Sequence, residues 1–203
     1  MAPWLIALVL TLWVLSVLFF RLNRIWLPYY VVGSVGLALA FIFAGRATFI
    51  EPGLQRLVAE GVHLLSIAAR IPTETFAAAP GALLVLVISQ DIGWTMLHVS
   101  VESSALLESA VISGMLLFYP GWSLRRRLLY TAGALALTYA ANLVRLMVIV
   151  TTLHYMGKDS LLISHTIIGR MVFFGLVVAI YWYLMTRPAL RTVRANLDRE
   201  MAS

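Results

Sequence analysis

Three groups of residues in this chain have the types and spacing of a reaction site: Ser103-Ser104-Ala105, Asn142-x-x-Arg145, and His165. A hydroxyl is a nucleophile-type group, a guanidinium is a fixed cation, and an imidazole exchanges protons near neutral pH. Together they form the inventory of acyl transfer: a nucleophile, a group to move its proton, and a cation for the oxyanion. Arg145 lies inside an apolar stretch of membrane length. An arginine at the bilayer centre costs about 2.5 kcal/mol or more, which makes it a functional-site candidate by default. Asn142 and Arg145 are three residues apart and share a helix face.

Each group also has a plainer role. Ser103 and Ser104 suit the capping of a helix start. Asn142 suits an interhelical hydrogen bond. Arg145 suits a structural ion pair with Glu108 or Glu102, and Arg170 either pairs with Glu108 or belongs to the site, the pairing being favoured. His165 at a helix start suits polar interface packing, as do His63, His98 and His154. Only the convergence of the set favours chemistry.

The elements that must position these residues are membrane helices. Hydrophobic residues make up 62% of 203, and 12% are charged. With a mean hydropathy of +0.92, the chain must find most of its solvent in lipid. There is no cysteine, which excludes disulfides, thiolate metal sites and a cysteine nucleophile. The histidines show no metal-ligand spacing, so neither metal nor cofactor is expected. The net charge of +6 comes from arginines beside apolar runs, where they read as topology signals and not as a nucleic-acid surface.

Five stretches approach the roughly 20 apolar residues a crossing needs: Trp4–Phe20, Trp26–Gly45, Ala105–Pro120, Leu128–Tyr155 and His165–Met185. The third is short unless it extends back through Met96–Ser104. The first is not read as a signal peptide, because its arginines follow it. Arg21 and Arg24, then Arg125-Arg126-Arg127, then Arg187, Arg191, Arg194 and Arg199 follow the first, third and fifth spans. Five spans put all three clusters on the cytoplasmic side. The N-terminus, the Arg46–Ser104 segment and the Met156–Ser164 loop are then outside, and Ser103, Arg145 and His165 approach one membrane face.

Within the outer segment, Pro52–Ala69 spaces Leu54, Leu57, Val58, Val62, Leu65 and Ala69 as an interfacial amphipathic helix. The Pro72–Pro80 stretch breaks it, with Ile71–Glu74 reading as a turn or new cap. Gly81–Val101 reads as two short extended pieces turning near Gln90–Gly93. A sixth membrane segment is the alternative, and it would split the arginine clusters between the two sides. The expected fold is therefore an all-α polytopic membrane protein, one integral membrane domain over 1–203. Its parts are two N-terminal spans (1–45), an outer amphipathic segment (46–104), a helical core bearing the candidate site (105–186) and a basic tail (187–203).

The stretches Val101-Glu102-Ser103-Ser104-Ala105-Leu106-Leu107-Glu108, Asn142-Leu143-Val144-Arg145-Leu146, Gly157, and Ser164-His165-Thr166-Ile167-Ile168-Gly169-Arg170 with Phe173 resemble the exosortase/archaeosortase family. The likeness covers about Ile88 to Tyr183, and the wording around Ser103 is nearest to the exosortase G-like branch. The resemblance implies a multi-span cell-membrane transpeptidase or protease. Its substrates would be membrane-anchored proteins carrying a C-terminal sorting signal, and its acceptor a lipid, a glycan or water. It implies a catalytic set of cysteine, arginine and histidine, matching positions 103, 145 and 165, with Asn142, Glu108 and Arg170 in support. Here Ser103 stands where the family has cysteine. A thiol ionises readily beside a cation, whereas a hydroxyl needs a strong adjacent base, so this chain is expected to be inactive or impaired.

Two rival readings are a membrane assembly or scaffold protein, with Arg145 and Glu108 as a structural pair, and a small transporter with Arg145 in an anion path. A transporter site is expected near the midplane. The five-span reading predicts that single cysteines at Ala2 and Ala202 are labelled from opposite sides of the membrane. Labelling of both from one side would refute it, and the shared-face argument with it.

Overall fold

The computed structural model describes residues 3–76, 82–88, 92–188, 190, 194 and 201, with only the backbone for 3, 82–88, 92–94, 158 and 161. Four described helical stretches are long and apolar enough to cross a membrane: Trp4–Leu22, Trp26–Ala47, Leu124–Met156 and Ser164–Thr186. The chain is a multi-pass membrane protein. Its first helix, α1 (Pro3–Leu22), buries none of its most apolar window and packs chiefly on α2 (Trp26–Ala47). Rows of exposed leucine, valine, phenylalanine and tryptophan on these helices are a surface that only lipid can solvate.

The third expected span is cut short. Helix α4 runs only over Leu106–Leu117, 12 residues, or about 18 Å at 1.5 Å per residue. It does not extend back as one helix, because Met96 lies in a strand and Val101–Ser103 forms a tight 3₁₀ turn. It ends where Arg127 donates to the carbonyls of Leu117 and Trp122, both at 3.0 Å. Helix α4 sits closely against α2 through small residues. A Cβ at Gly114 would collide with the carbonyl of Ser34, so only glycine permits this approach.

The spine is α5 (Leu124–Met156), 33 residues and about 50 Å long, exceeding the expected Leu128–Tyr155 at both ends. Gly157 stops it with φ 78°, a conformation that costs glycine little. A short connection and α6 (Leu161–Ile163) lead into a π-helical turn, Ser164–Ile168, then α7 (Gly169–Tyr181) and a second π-helical turn, Trp182–Thr186. The expected His165–Met185 span is thus one continuous helical rod that begins ahead of His165. Of the basic tail, only scattered residues fall among those described.

A cap covers one end of this bundle. Helix α3 (Ile50–Ala68) matches the expected amphipathic helix, but two apolar faces divide its surface. Val58, Ala59 and Val62 are buried against Leu146, Ile149, Val150 and Leu153 of α5, whereas Leu57, Leu64, Leu65 and Ile67 stay exposed. The extended reading of Gly81–Val101 holds: β2 (Ala82–Ile88) and β3 (Ile92–His98) pair antiparallel, with Ile88 opposite Ile92. The expected turn residues 89–91 lie outside the described residues, while Gly93 sits within β3.

The Pro72–Pro80 region departs from expectation. Thr73–Thr75 forms an edge strand, β1, antiparallel to β2, and residues 77–80 lie outside the described residues. Cross-strand pairing overrides the local turn signal of Pro72. His63 Nδ1, 3.0 Å from Thr73 Oγ1, ties α3 to that strand.

Candidate functional site

The sequence Val101–Leu106 builds a tight elbow between the cap and α4. Ser103 and Ser104 amides bond back to the Ser100 and Val101 carbonyls at 2.9 and 3.2 Å. Ala105 then adopts φ 59°, ψ 19°, a left-handed conformation that a residue with a Cβ rarely takes. Held strain of this kind clusters at functional turns. The two serines divide their roles. Ser104 Oγ donates to the Val101 carbonyl at 2.7 Å and accepts from the Leu106 amide at 3.3 Å, so its hydroxyl is tied into the turn itself, while Ala105 is the N-cap of α4. The Ser103 hydroxyl makes no hydrogen bond among the described residues, and its residue is only 1% exposed.

Helix α5 fastens the elbow from behind. Asn142, fully buried, donates through Nδ2 to the Ser103 carbonyl at 2.6 Å. Arg145, 4% exposed, donates through Nη1 to the Glu102 carbonyl at 3.3 Å, and its guanidinium carbon lies 5.3 Å from the centre of the Phe173 ring. Asn142 therefore holds the Ser103 turn and not the guanidinium. Side-chain atoms Asn142 Oδ1, Arg145 Nε and Glu108 Oε2 are buried without a hydrogen-bond partner.

Arg170 does not pair with Glu108 as expected. Its Nη2 lies 3.8 Å from Glu102 Oε2, in a pair with both side chains largely exposed. The reason is geometric: Glu102 stands on the turn facing α7, whereas Glu108 points inward from the first turn of α4. His165 is half-buried in the π-helical turn, five residues before Arg170 in the same helical rod. A π-helical turn adds a residue to the helical circuit and re-aims its side chains, a device common at functional sites.

Between α4 and α7, over Arg145, opens a cleft of about 440 Å³. Glu102, Leu107, Glu108, Arg145, Arg170, Phe173, Phe174 and Val177 line it. Ser103, Asn142 and His165 are not among the lining residues. Arg145, Glu108 and Arg170 are brought to one cleft, Ser103 lies beside it as the chain neighbour of Glu102, and His165 lies in the π-helical turn that precedes Arg170.

No protein-family model, curated protein or solved structure matches this chain. The site has to be read from its own geometry. No group of three or more metal-ligating side chains occurs among the described residues. The sequence reading missed Leu107, Phe174 and Val177 as lining residues. The signal was present: Arg170, Phe173, Phe174 and Val177 follow the i, i+3, i+4, i+7 pattern of one helix face.

Replacing Asn142 with leucine keeps the volume but leaves the Ser103 carbonyl without its donor. The loss is expected at about 1 kcal/mol, or roughly fivefold in local opening. Hydrogen exchange at the Ser103 and Ser104 amides should quicken by that factor in Asn142→Leu, with exchange in α3 unchanged. Identical exchange at both amides would show that Asn142 does not hold the turn.

Proposed function

We propose that this chain is a sortase-like membrane transpeptidase, resembling the exosortase/archaeosortase family, with Ser103 at the nucleophile position and turnover impaired by that serine. One observation carries the reading: Asn142 and Arg145 donate to the consecutive carbonyls of Ser103 and Glu102, so a buried cation is fixed beside residue 103. The division of labour between the serines supports it, since the Ser104 hydroxyl is tied into the turn and the Ser103 hydroxyl is not.

In this reading the substrate is a membrane-anchored protein with a C-terminal sorting signal. The hydroxyl of residue 103 gives its proton to His165 as its oxygen adds to a substrate carbonyl, and Arg145 takes up the charge on the oxyanion. His165 hands a proton to the leaving amine as the carbon–nitrogen bond breaks. The acyl group on residue 103 then passes to an amine or hydroxyl of a lipid or glycan, or to water, whose proton passes through His165 to the departing oxygen of residue 103. Ser103 is nearly sealed in the resting structure, so the turn must open toward the cleft for this to occur. With α4 counted as a crossing, all three arginine clusters fall inside and the site faces outward in the cell membrane.

A scaffold reading has one observation in its favour: Glu102 and Arg170 satisfy one another at 3.8 Å across the cleft mouth. Exposed pairs of this kind stabilise little, which weakens the argument.

A thiol at position 103 separates the two. Incubated with a tagged substrate bearing a C-terminal membrane anchor and basic tail, Ser103→Cys should form a thioester adduct visible by mass spectrometry. Ser104→Cys should form none, and adding Arg145→Ala to Ser103→Cys should abolish it. Correctly folded Ser103→Cys that forms no adduct with any anchored substrate would leave the scaffold reading standing.

A further inference from the structure

The cleft between α4 and α7 carries an unusual pair of atoms for a lipid-embedded bundle. Arg145 Nε is a buried donor without an acceptor, and Glu108 Oε2 is a buried acceptor without a donor. Both residues line the same cavity, and Arg145 itself is 4% exposed. A buried polar atom without a partner is costly, so the guanidinium and the carboxylate favour a partner that the cleft can admit. What enters must offer an acceptor and a donor together. A simple anion would satisfy Arg145 but meet Glu102 and Glu108, and a simple cation would meet Arg145 and Arg170. Two carboxylates and two guanidinia leave the lining without net charge, which suits a neutral group with two polar ends.

A peptide linkage is such a group. In an intact membrane helix its carbonyl and N–H are already paired along the ladder, so only an unwound linkage presents both. The remaining walls suit the neighbouring side chains. Phe173, Phe174 and Val177 line one face of α7, and Leu107 stands opposite on α4. A cavity of about 440 Å³ is within the range of small-ligand sites, with room for a short piece of chain and not for a helix.

We infer that the cleft binds one unwound peptide linkage of a membrane-anchored chain, Arg145 donating to its carbonyl and Glu108 accepting its N–H. Glu108 is thereby a binding residue that selects a backbone N–H at one register of the substrate. The identity of the bound chain as a substrate rests on the transpeptidase reading, but the binding itself requires no covalent step.

The test uses the full chain in phosphatidylcholine nanodiscs, with the exposed mouth residue Phe174 replaced by the photo-crosslinker p-benzoylphenylalanine. The probes are a synthetic leucine-alanine membrane helix, the same helix with a short glycine break near one end, and break peptides N-methylated at successive positions. The broken peptide should crosslink at least about tenfold more than the unbroken helix. One N-methyl position should reduce the yield about tenfold, the effect of losing a hydrogen bond to a charged acceptor. In Glu108→Leu that methyl sensitivity should vanish, because the acceptor is gone.

Equal crosslinking of broken and unbroken peptides would overturn the inference, as would methylation that matters equally with and without Glu108. The methylation series on the protein with Glu108 intact remains decisive even where Glu108→Leu misfolds. An acyl adduct on Ser103→Cys from a methyl-indifferent peptide would fell the Glu108 assignment alone. Methyl-sensitive crosslinking without any adduct would fell the transpeptidase reading alone.

Discussion

Two polar side chains of α5 cannot face lipid, and the structure around them follows from where they find partners. Asn142 and Arg145 lie on one face of a membrane-length helix. Left unpaired in hydrocarbon, either would be strongly unfavourable. The carbonyls of Glu102 and Ser103 precede α4 and so lie outside its ladder, needing donors of their own. Each side meets part of the other's deficit, through bonds of 2.6 and 3.3 Å, while Asn142 Oδ1 and Arg145 Nε stay without partners. The start of α4, the place of the Ser103 elbow and the floor of the cleft are all set by that exchange.

The length of α5 turns this local arrangement into an architecture. It packs with α4 and α7 in the bundle, and its Leu146, Ile149, Val150 and Leu153 enter the cap against Val58, Val62, Leu97 and Val99. The candidate site therefore lies at the seam between lipid-facing bundle and cap. Two departures from regular backbone flank the seam: the left-handed Ala105 and the π-helical turn bearing His165. Both are conformations that persist only where surrounding packing imposes them.

Much of this was legible in the sequence for a simple reason. Serine, asparagine, arginine and histidine stand out in apolar runs, so Ser103, Asn142, Arg145 and His165 could be selected by type alone. The long spans, the amphipathic α3 and the hairpin over Gly81–Val101 followed from hydropathic period and turn residues. What was hidden depends on direction and on distant partners. The true start of α5 at Leu124 was masked because Arg125-Arg126-Arg127 read as a topology signal outside the apolar span, although arginine is a good helix former. The strand Thr73–Thr75 exists only because β2 lies beside it. Asn142 and Arg145 were known to share a face, but nothing in the spacing told which carbonyl each would reach. Glu102 was weighed only as a partner for Arg145, and its pairing with Arg170 depends on the turn that aims it at α7.

The central claim is that Arg145 activates position 103 and not its neighbour, and the pH profile of thiol alkylation tests it most directly. The midpoint of such a profile reports thiolate formation and is insensitive to how slowly a reagent reaches a buried site. The account predicts that Ser103→Cys titrates about one unit below Ser104→Cys, and that adding Arg145→Ala removes the difference. Coincident midpoints for the two thiols, both indifferent to Arg145→Ala, would contradict it.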